Sequence, residues 1–245
     1  MTATPERKRR NEMISFKKHI PNTITCCNLI AGCIAIVYAF YGKQDTALLF
    51  ILIGAGFDFF DGMVARLLHV SSPIGKELDS LADDITFGAA PAMMIFTLMS
   101  QMEYPTAIEP IAKYLPFTAF IIAAFSALRL AKFNLDERQT TSFIGLPTPA
   151  NALFWGSLIV GAGERIATIP HAYVFILILI AVTCWLLVAE IPMFALKFKQ
   201  WGWKGNEVRY LFILSCIPIL LIFGISGFAL IIAWYVILSA FTQKS

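Results

Sequence analysis

An all-α, polytopic membrane helical bundle of about eight transmembrane helices is the fold class predicted for this 245-residue chain. Three observations carry that prediction. Hydrophobic residues make up 58% of the chain and charged residues only 14%, with a mean hydropathy of +0.72, far from the balance of a soluble domain. Apolar windows of bilayer length, about 20 residues for a helix, recur along nearly the whole sequence. The positive charges are distributed unevenly between alternate interruptions of those windows, as membrane topology requires.

Taken in order, residues 1–20 carry Arg7, Lys8, Arg9, Arg10, Lys17 and Lys18, with Met13, Phe16 and Ile20 at helical spacing. This pattern fits an N-terminal amphipathic interfacial helix on an anionic leaflet, and equally a basic topology signal. Crossings are expected at 21–41, 46–65, 77–100, 114–133, 146–163, 171–191, 208–224 and 227–242. The first six, within 21–191, form a core, and 192–245 forms a C-terminal hairpin. Because 146–163 and the last pair are short, six crossings with a re-entrant or interfacial tail is the alternative. With the N-terminus inside, all of the nineteen Lys and Arg except Lys43, Lys113 and Arg165 fall on the cytoplasmic side. That orientation places both termini in the cytoplasm. No cleavable signal peptide is expected, because the basic head leads into a span too long for an h-region. The five cysteines lie in apolar stretches without zinc-type spacing, and no nucleic-acid partner is expected.

The chemistry is sought in four acids. Asp58 and Asp61 sit near the end of the second crossing, and Asp79 and Asp83 near the start of the third. Carboxylates at membrane depth cost several kcal/mol unless partnered, and so mark function. The two crossings are joined by a short loop and should be antiparallel neighbours. Asp58 lies about 12 Å below the end of its helix at about 1.5 Å per residue, and Asp83 at a similar depth. All four can therefore meet in the cytoplasmic third of the bilayer. Too few basic residues share that depth to neutralise them, so bound divalent cations are the expected neutraliser. Mg²⁺ or Mn²⁺ suits all-oxygen ligands and brings a substrate phosphate. Gly62 and Ala65 lie one turn below the acids of the second crossing, and Gly75 one turn before Asp79, leaving room for a bulky ligand. Arg66 stands at the rim, where its fork suits phosphate oxygens. An ion-transport path is a competing reading, but transport would spread polar groups through the full membrane depth.

The spacing Asp58-x-x-Asp61-Gly62-x-x-Ala65-Arg66, followed by Gly75, Asp79 and Asp83, resembles the signature of the CDP-alcohol phosphatidyltransferase family. The resemblance implies a helical membrane bundle, commonly a homodimer, with a cytosol-facing cavity. It implies that Asp58, Asp61 and Asp79 ligate divalent metal, two ions in all, with Asp83 completing the site and acting as the base on the acceptor hydroxyl. Gly62 and Ala65 would lie against the cytidine nucleotide, with Gly75 and Arg66 beside it. Asn22, Thr25 and Asn28 share one face of the first crossing and are further candidates for nucleotide contact, or pack that helix.

Further stretches resemble the phosphatidylserine synthase branch: 21–32 (PNTITCCNLIAG), 77–83 (ELDSLAD), 87–91 (FGAAP), 129–134 (RLAKFN) and 143–151 (FIGLPTPAN). The implied reaction joins CDP-diacylglycerol and L-serine at a cell (inner) membrane, releasing CMP. Arg129, Lys132 and Asn134 are candidates for holding the acceptor carboxylate or a lipid phosphate, or for positive-inside anchoring. Asp84 departs from the branch pattern and is expected to be peripheral, pairing with Arg129 or Lys132. Alternatives are the same chemistry with glycerol 3-phosphate or an inositol phosphate, an intramembrane prenyltransferase, and a divalent-cation carrier.

Overall fold

The computed structural model describes residues 5–136, 143–193, 202–203 and 206–242, without the side chains of 5–16 and 18. The basic positions 7–10 and the apolar Met13 and Phe16 therefore lie outside the described side chains. Arg138, Lys197, Lys199, Lys204 and Lys244 lie outside the described residues altogether.

Helix α1 (Pro5–Phe40) joins the basic tail to the first crossing without a break, with Pro21 inside it. Its apolar, membrane-length part begins at His19. A tight turn with Gly42 at φ +74° leads into α2 (Gln44–Leu67). Helix α3 (Pro73–Asp83) starts at Ser72, whose hydroxyl accepts a hydrogen bond from the Gly75 backbone N–H at 2.9 Å, with Pro73 at the first helical position.

The expected uninterrupted helix over 77–100 is interrupted. A π-helical turn, Asp84–Ala89, separates α3 from α4 (Ala90–Ser100), and the Ala90 N–H bonds the Ile85 carbonyl five residues back. Pro91 has no N–H to offer the carbonyl of Phe87, which favours wider bonding just ahead of it.

Two short segments, a 3₁₀ turn (Thr106–Ile108) and α5 (Glu109–Ala112), precede a 3₁₀ stretch (Leu115–Phe120) that runs into α6 (Ile121–Leu135). Strand β1 (Phe143–Ile144) pairs antiparallel with β2 (Pro192–Met193), a small addition to the all-α expectation. Between them come α7 (Thr148–Thr168) and α8 (Ala172–Val188); α9 (Glu207–Phe223) and α10 (Gly227–Thr242) follow.

The protein is a polytopic integral membrane protein. Among the described residues, five stretches are long and apolar enough to cross a bilayer: His19–Phe40, Gln44–Leu67, Pro73–Ser100, Leu115–Leu135 and Glu207–Phe241. The last is a hairpin rather than one long rod. Its turn at Gly224–Ser226 rests on α7, where a Cβ on Gly161 would lie 2.5 Å from the Ser226 backbone nitrogen. Ile232, further along α10, packs with Leu146 and Met193 at the other end of α7. Helices α7 and α8 supply the other two expected segments, α8 as a shorter apolar helix.

The core lies where α4 and α7 meet α1 and α2. Ala35, Ala39 and Ala47 let α1 and α2 approach closely, and Phe87, Met94, Ile95, Met99 and Trp155 fill the centre. In a bilayer such close packing of small and large side chains, rather than water exclusion, holds helices together.

Candidate active site

Asp58 and Asp61 project from one face of α2 toward Asp79 on α3. One carboxylate oxygen from each lies within 4.8 Å of the other two. The expected convergence of the two helices is thus present, but it divides the four acids into three and one. Asp83, one turn further along α3, stands outside the trio. It is buried, and its Oδ1 accepts a hydrogen bond from Asn28 Nδ2 at 3.0 Å. Its charged neighbours include Asp58 and Asp79.

Helix α1 orients both groups. The Thr25 hydroxyl donates to Asp61 Oδ2 at 2.6 Å and lies 3.1 Å from the Pro21 carbonyl. Asn28, wholly buried one turn later, holds Asp83. Second-layer bonds of this kind fix the orientation of ligating or proton-accepting carboxylates. Asn28 is supported in turn: Thr86, in the π turn, donates to its backbone carbonyl at 3.1 Å. Thr86 reaches it only because α1 and α2 carry glycine alongside. A Cβ on Gly54 would lie 2.6 Å from Thr86 Cγ2 and 2.9 Å from Asn28 Oδ1, and one on Gly32 would lie 2.8 Å from Thr86 Cα. Sequence reasoning missed Thr86, although glycines inside two apolar helices signal close helix contact.

A pocket of about 270 Å³ opens beside the trio. Asn22, Thr25, Gly62, Ala65 and Gly75, all expected near a nucleotide, line it together with Asp61 and Asp79. Two expected residues do not line it: Asn28 is committed to Asp83, and Arg66 is exposed beside Gly62 at the rim. Ser71, Ser72 and Lys76 line the pocket and were not anticipated. The Ser-Ser-Pro run ahead of α3 was the available signal, since it reads as a helix cap.

The residues expected at the acceptor are divided. Arg129 and Lys132 line a different cavity, between the ends of α6 and α8. Asn134 instead clamps α6 to α3: its side chain donates to Ser80 Oγ at 2.8 Å, and its carbonyl accepts from Lys76 Nζ at 2.8 Å. Asp84 forms no ion pair with Arg129 or Lys132 among the described residues; its Oδ1 lies beside Gly88 and Ser126. The π turn accounts for the difference, because widened bonding after Asp83 changes the face on which the following residues emerge.

The trio fits a divalent cation. All three donors are hard oxygens, and Asp79 Oδ1 is buried without a hydrogen-bond partner. Three like charges this close need a neutralising cation, and an oxygen-only set matches Mg²⁺ or Mn²⁺ better than thiolate-seeking metals.

A carboxylate trio inside a helical membrane bundle, opening on a pocket lined by glycine and alanine, is an arrangement suited to holding a phosphate ester with a metal ion. The match of residues 18–201 to the CDP-alcohol phosphatidyltransferase family model makes the class specific, and the chain belongs to that family. Similar proteins include the CDP-diacylglycerol–serine O-phosphatidyltransferase of Bacillus subtilis, 40% identical over 136 residues, covering 54% of this chain and 70% of that protein. The protein of the same description from Mycobacterium leprae is 31% identical over 205 residues, covering 79% of this chain and 62% of its own length. That of Saccharomyces cerevisiae is 36% identical over 147 residues, covering 54% and 50%. The chain thus spans less than two thirds of the mycobacterial and yeast proteins.

Proposed function

We propose that this protein transfers the phosphatidyl group of CDP-diacylglycerol to the hydroxyl of L-serine, giving phosphatidylserine and CMP. The observation that carries the reading is the division of the site: an acid trio beside a nucleotide-sized pocket, and a single acid, Asp83, held apart by Asn28. The relatives described as CDP-diacylglycerol–serine O-phosphatidyltransferases support the choice of acceptor.

In this reading Asp58, Asp61 and Asp79 hold a divalent cation, Mg²⁺ or Mn²⁺, with Asp83 completing the set for a second. When bound, the metal neutralises diphosphate oxygens and the charge that develops on departing CMP. Asn22, Thr25, Gly62, Ala65 and Gly75 seat the cytidine nucleotide, and Arg66 meets phosphate at the rim. The serine oxygen attacks the lipid-linked phosphorus while the bond from that phosphorus to the CMP oxygen breaks. Asp83 takes the hydroxyl proton, which an alcohol does not give up unaided near neutral pH. Asn28 keeps Asp83 aimed at that hydroxyl, and Thr25 keeps Asp61 aimed at the trio.

The catalytic unit is 21–191, with 1–20 a membrane-surface segment and 192–245 a peripheral hairpin. The same reading makes the protein a homodimer of the cell (inner) membrane with both termini and the site facing the cytoplasm. The charge asymmetry supports the orientation, and family membership supports the dimer.

The test is CMP release by purified protein given CDP-diacylglycerol, Mg²⁺ or Mn²⁺, and one of L-serine, glycerol 3-phosphate or inositol phosphate. Release with serine is expected. Release with glycerol 3-phosphate and not serine would overturn the acceptor, and no release with any alcohol would overturn the reaction.

A further inference from the structure

Helices α6 and α8 leave a seam between them. An apolar cavity of about 450 Å³ lies along it, walled by Ile121 and Phe125 of α6 and by Leu177, Ala181, Cys184 and Val188 of α8. Trp185, on the same wall, is 58% exposed, so the cavity opens on the surface that the bilayer covers. The stretch from Leu177 to Val188 measures about 16 Å at about 1.5 Å per residue, half of a hydrocarbon core of about 30 Å. At its end Val188 is shared with the second cavity, of about 400 Å³, which Arg129 and Lys132 line. The two spaces form one groove, apolar for the depth of a single leaflet and cationic where that leaflet ends.

The cationic end is a built site. Arg129 is only 7% exposed, and its Nε is buried without a hydrogen-bond partner. Asp83 is its acidic neighbour, yet that N–H remains unmet. A buried guanidinium with an unused N–H is costly unless an anion completes it, and its planar fork suits phosphate oxygens. Asp136 and Glu190 also line this end, but each already has a partner, and Glu190 is exposed. A zwitterionic head group would bring its own cation to Arg129 and Lys132, whereas an anionic one brings none. A free phosphate would leave the apolar length unused. No residue of the groove lines the nucleotide pocket, so the groove and the donor's nucleotide seat are separate.

We infer that the groove between α6 and α8 binds an anionic glycerophospholipid of the surrounding leaflet, distinct from the CDP-lipid donor. One acyl chain lies along α8, and the phosphate meets Arg129 and Lys132. The lipid completes the buried guanidinium and closes the seam. This site does not depend on which alcohol accepts the phosphatidyl group.

Trp185 reports occupancy, because bromine on an acyl chain quenches an indole that it touches. The full-length protein in phosphatidylcholine vesicles is given a minor fraction of chain-brominated phosphatidylglycerol or, in parallel, chain-brominated phosphatidylcholine. The signal followed is the part of the fluorescence that Trp185→Phe removes. Brominated phosphatidylglycerol should quench it at a mole fraction at least about fivefold lower, the worth of one basic side chain to an anionic lipid. Lys132→Gln should reduce that preference about fivefold, and Arg129→Gln should erase it. Ala181→Phe, which fills the apolar length and leaves both cations in place, should erase it too. Should Arg129→Gln fail to fold, Lys132→Gln and Ala181→Phe carry the test. Equal quenching by the two lipids, or a preference that survives Lys132→Gln and Ala181→Phe, would overturn the site. Displacement of the brominated lipid by CDP-diacylglycerol more readily than by unbrominated phosphatidylglycerol would overturn it in favour of the donor's own acyl chain.

Discussion

The two halves of the site are built differently. Around the acid trio, α1, α2 and α3 make short polar contacts: Thr25 to Asp61 at 2.6 Å, Asn28 to Asp83 at 3.0 Å, Ser72 to the Gly75 N–H at 2.9 Å. Around the second cavity, charged side chains gather from the ends of α6 and α8, and Arg129 Nε is buried without a hydrogen-bond partner. A half whose groups are already oriented resembles a site that pre-organises metal and diphosphate. A half in which a buried guanidinium N–H is left over resembles one that tests what enters it.

The largest effects are expected where the first half is broken. Asp83→Asn should cut kcat by at least about 10²–10⁴-fold, the usual worth of a positioned base, while binding of CDP-diacylglycerol stays near normal. Asp58→Asn should abolish both turnover and metal-dependent binding of the CDP-lipid. Equal loss of binding in the two variants would show that Asp83 is chiefly a ligand, and the three-and-one division would fall. Equilibrium binding of CDP-lipid, measured beside CMP release, separates these outcomes.

Removal of the metal comes next. Chelation should stop CMP release, and Mg²⁺ or Mn²⁺ should restore it in the wild type but not in Asp61→Asn. Full activity in excess chelator would sink the metal reading of the trio. One step outward, Thr25→Val should weaken the apparent metal affinity by about 10–100-fold, the range for lost second-shell bonds, and Thr25→Ser should recover most of it. Metal titrations of activity that coincide for Thr25→Val and wild type would place Thr25 in helix packing alone.

The contrast between the halves also explains what the sequence could disclose. The acid trio and its pocket were legible because charge in an apolar helix is rare, and because i, i+3 spacing on α2 and a short loop into α3 force convergence. The separation of Asp83 from the trio was not legible, since it depends on Asn28 reaching across from α1. The π turn was equally hidden: residues 84–89 read as ordinary helix, and only the bonding ahead of Pro91 widens it. At the second cavity, Arg129 and Lys132 were visible as a cationic helix end. Glu190, which lines the same cavity, lies just past the end of α8, far away in sequence, and only packing brings it alongside.

The close approach that supports Asn28 gives a smaller effect, read as stability. Gly54→Val should destabilise the protein by about 1–3 kcal/mol, the usual range for overpacking, because the new side chain collides with Thr86 and Asn28. Thermal inactivation in detergent measures this. Gly56 has open space around its Cβ position, so Gly56→Ala, which also removes a helix-interior glycine, should leave stability unchanged or slightly higher. Equal losses at the two positions would remove the packing argument for Thr86.

The smallest effect is expected at the joint between the halves. Asn134 ties α6 to α3 through Ser80 and Lys76, and it lines neither the nucleotide pocket nor the second cavity. Asn134→Ala removes the hydrogen bond to Ser80 while leaving the backbone carbonyl that Lys76 uses. The loss should therefore be about 1 kcal/mol of stability, the worth of one such bond. The KM values for serine and CDP-diacylglycerol should move together and by no more than a few-fold. A selective rise of tenfold or more in the KM for serine would return Asn134 to the acceptor site, where the sequence alone had placed it. It would also mean that the two halves meet through a shared ligand contact and not through a structural clamp.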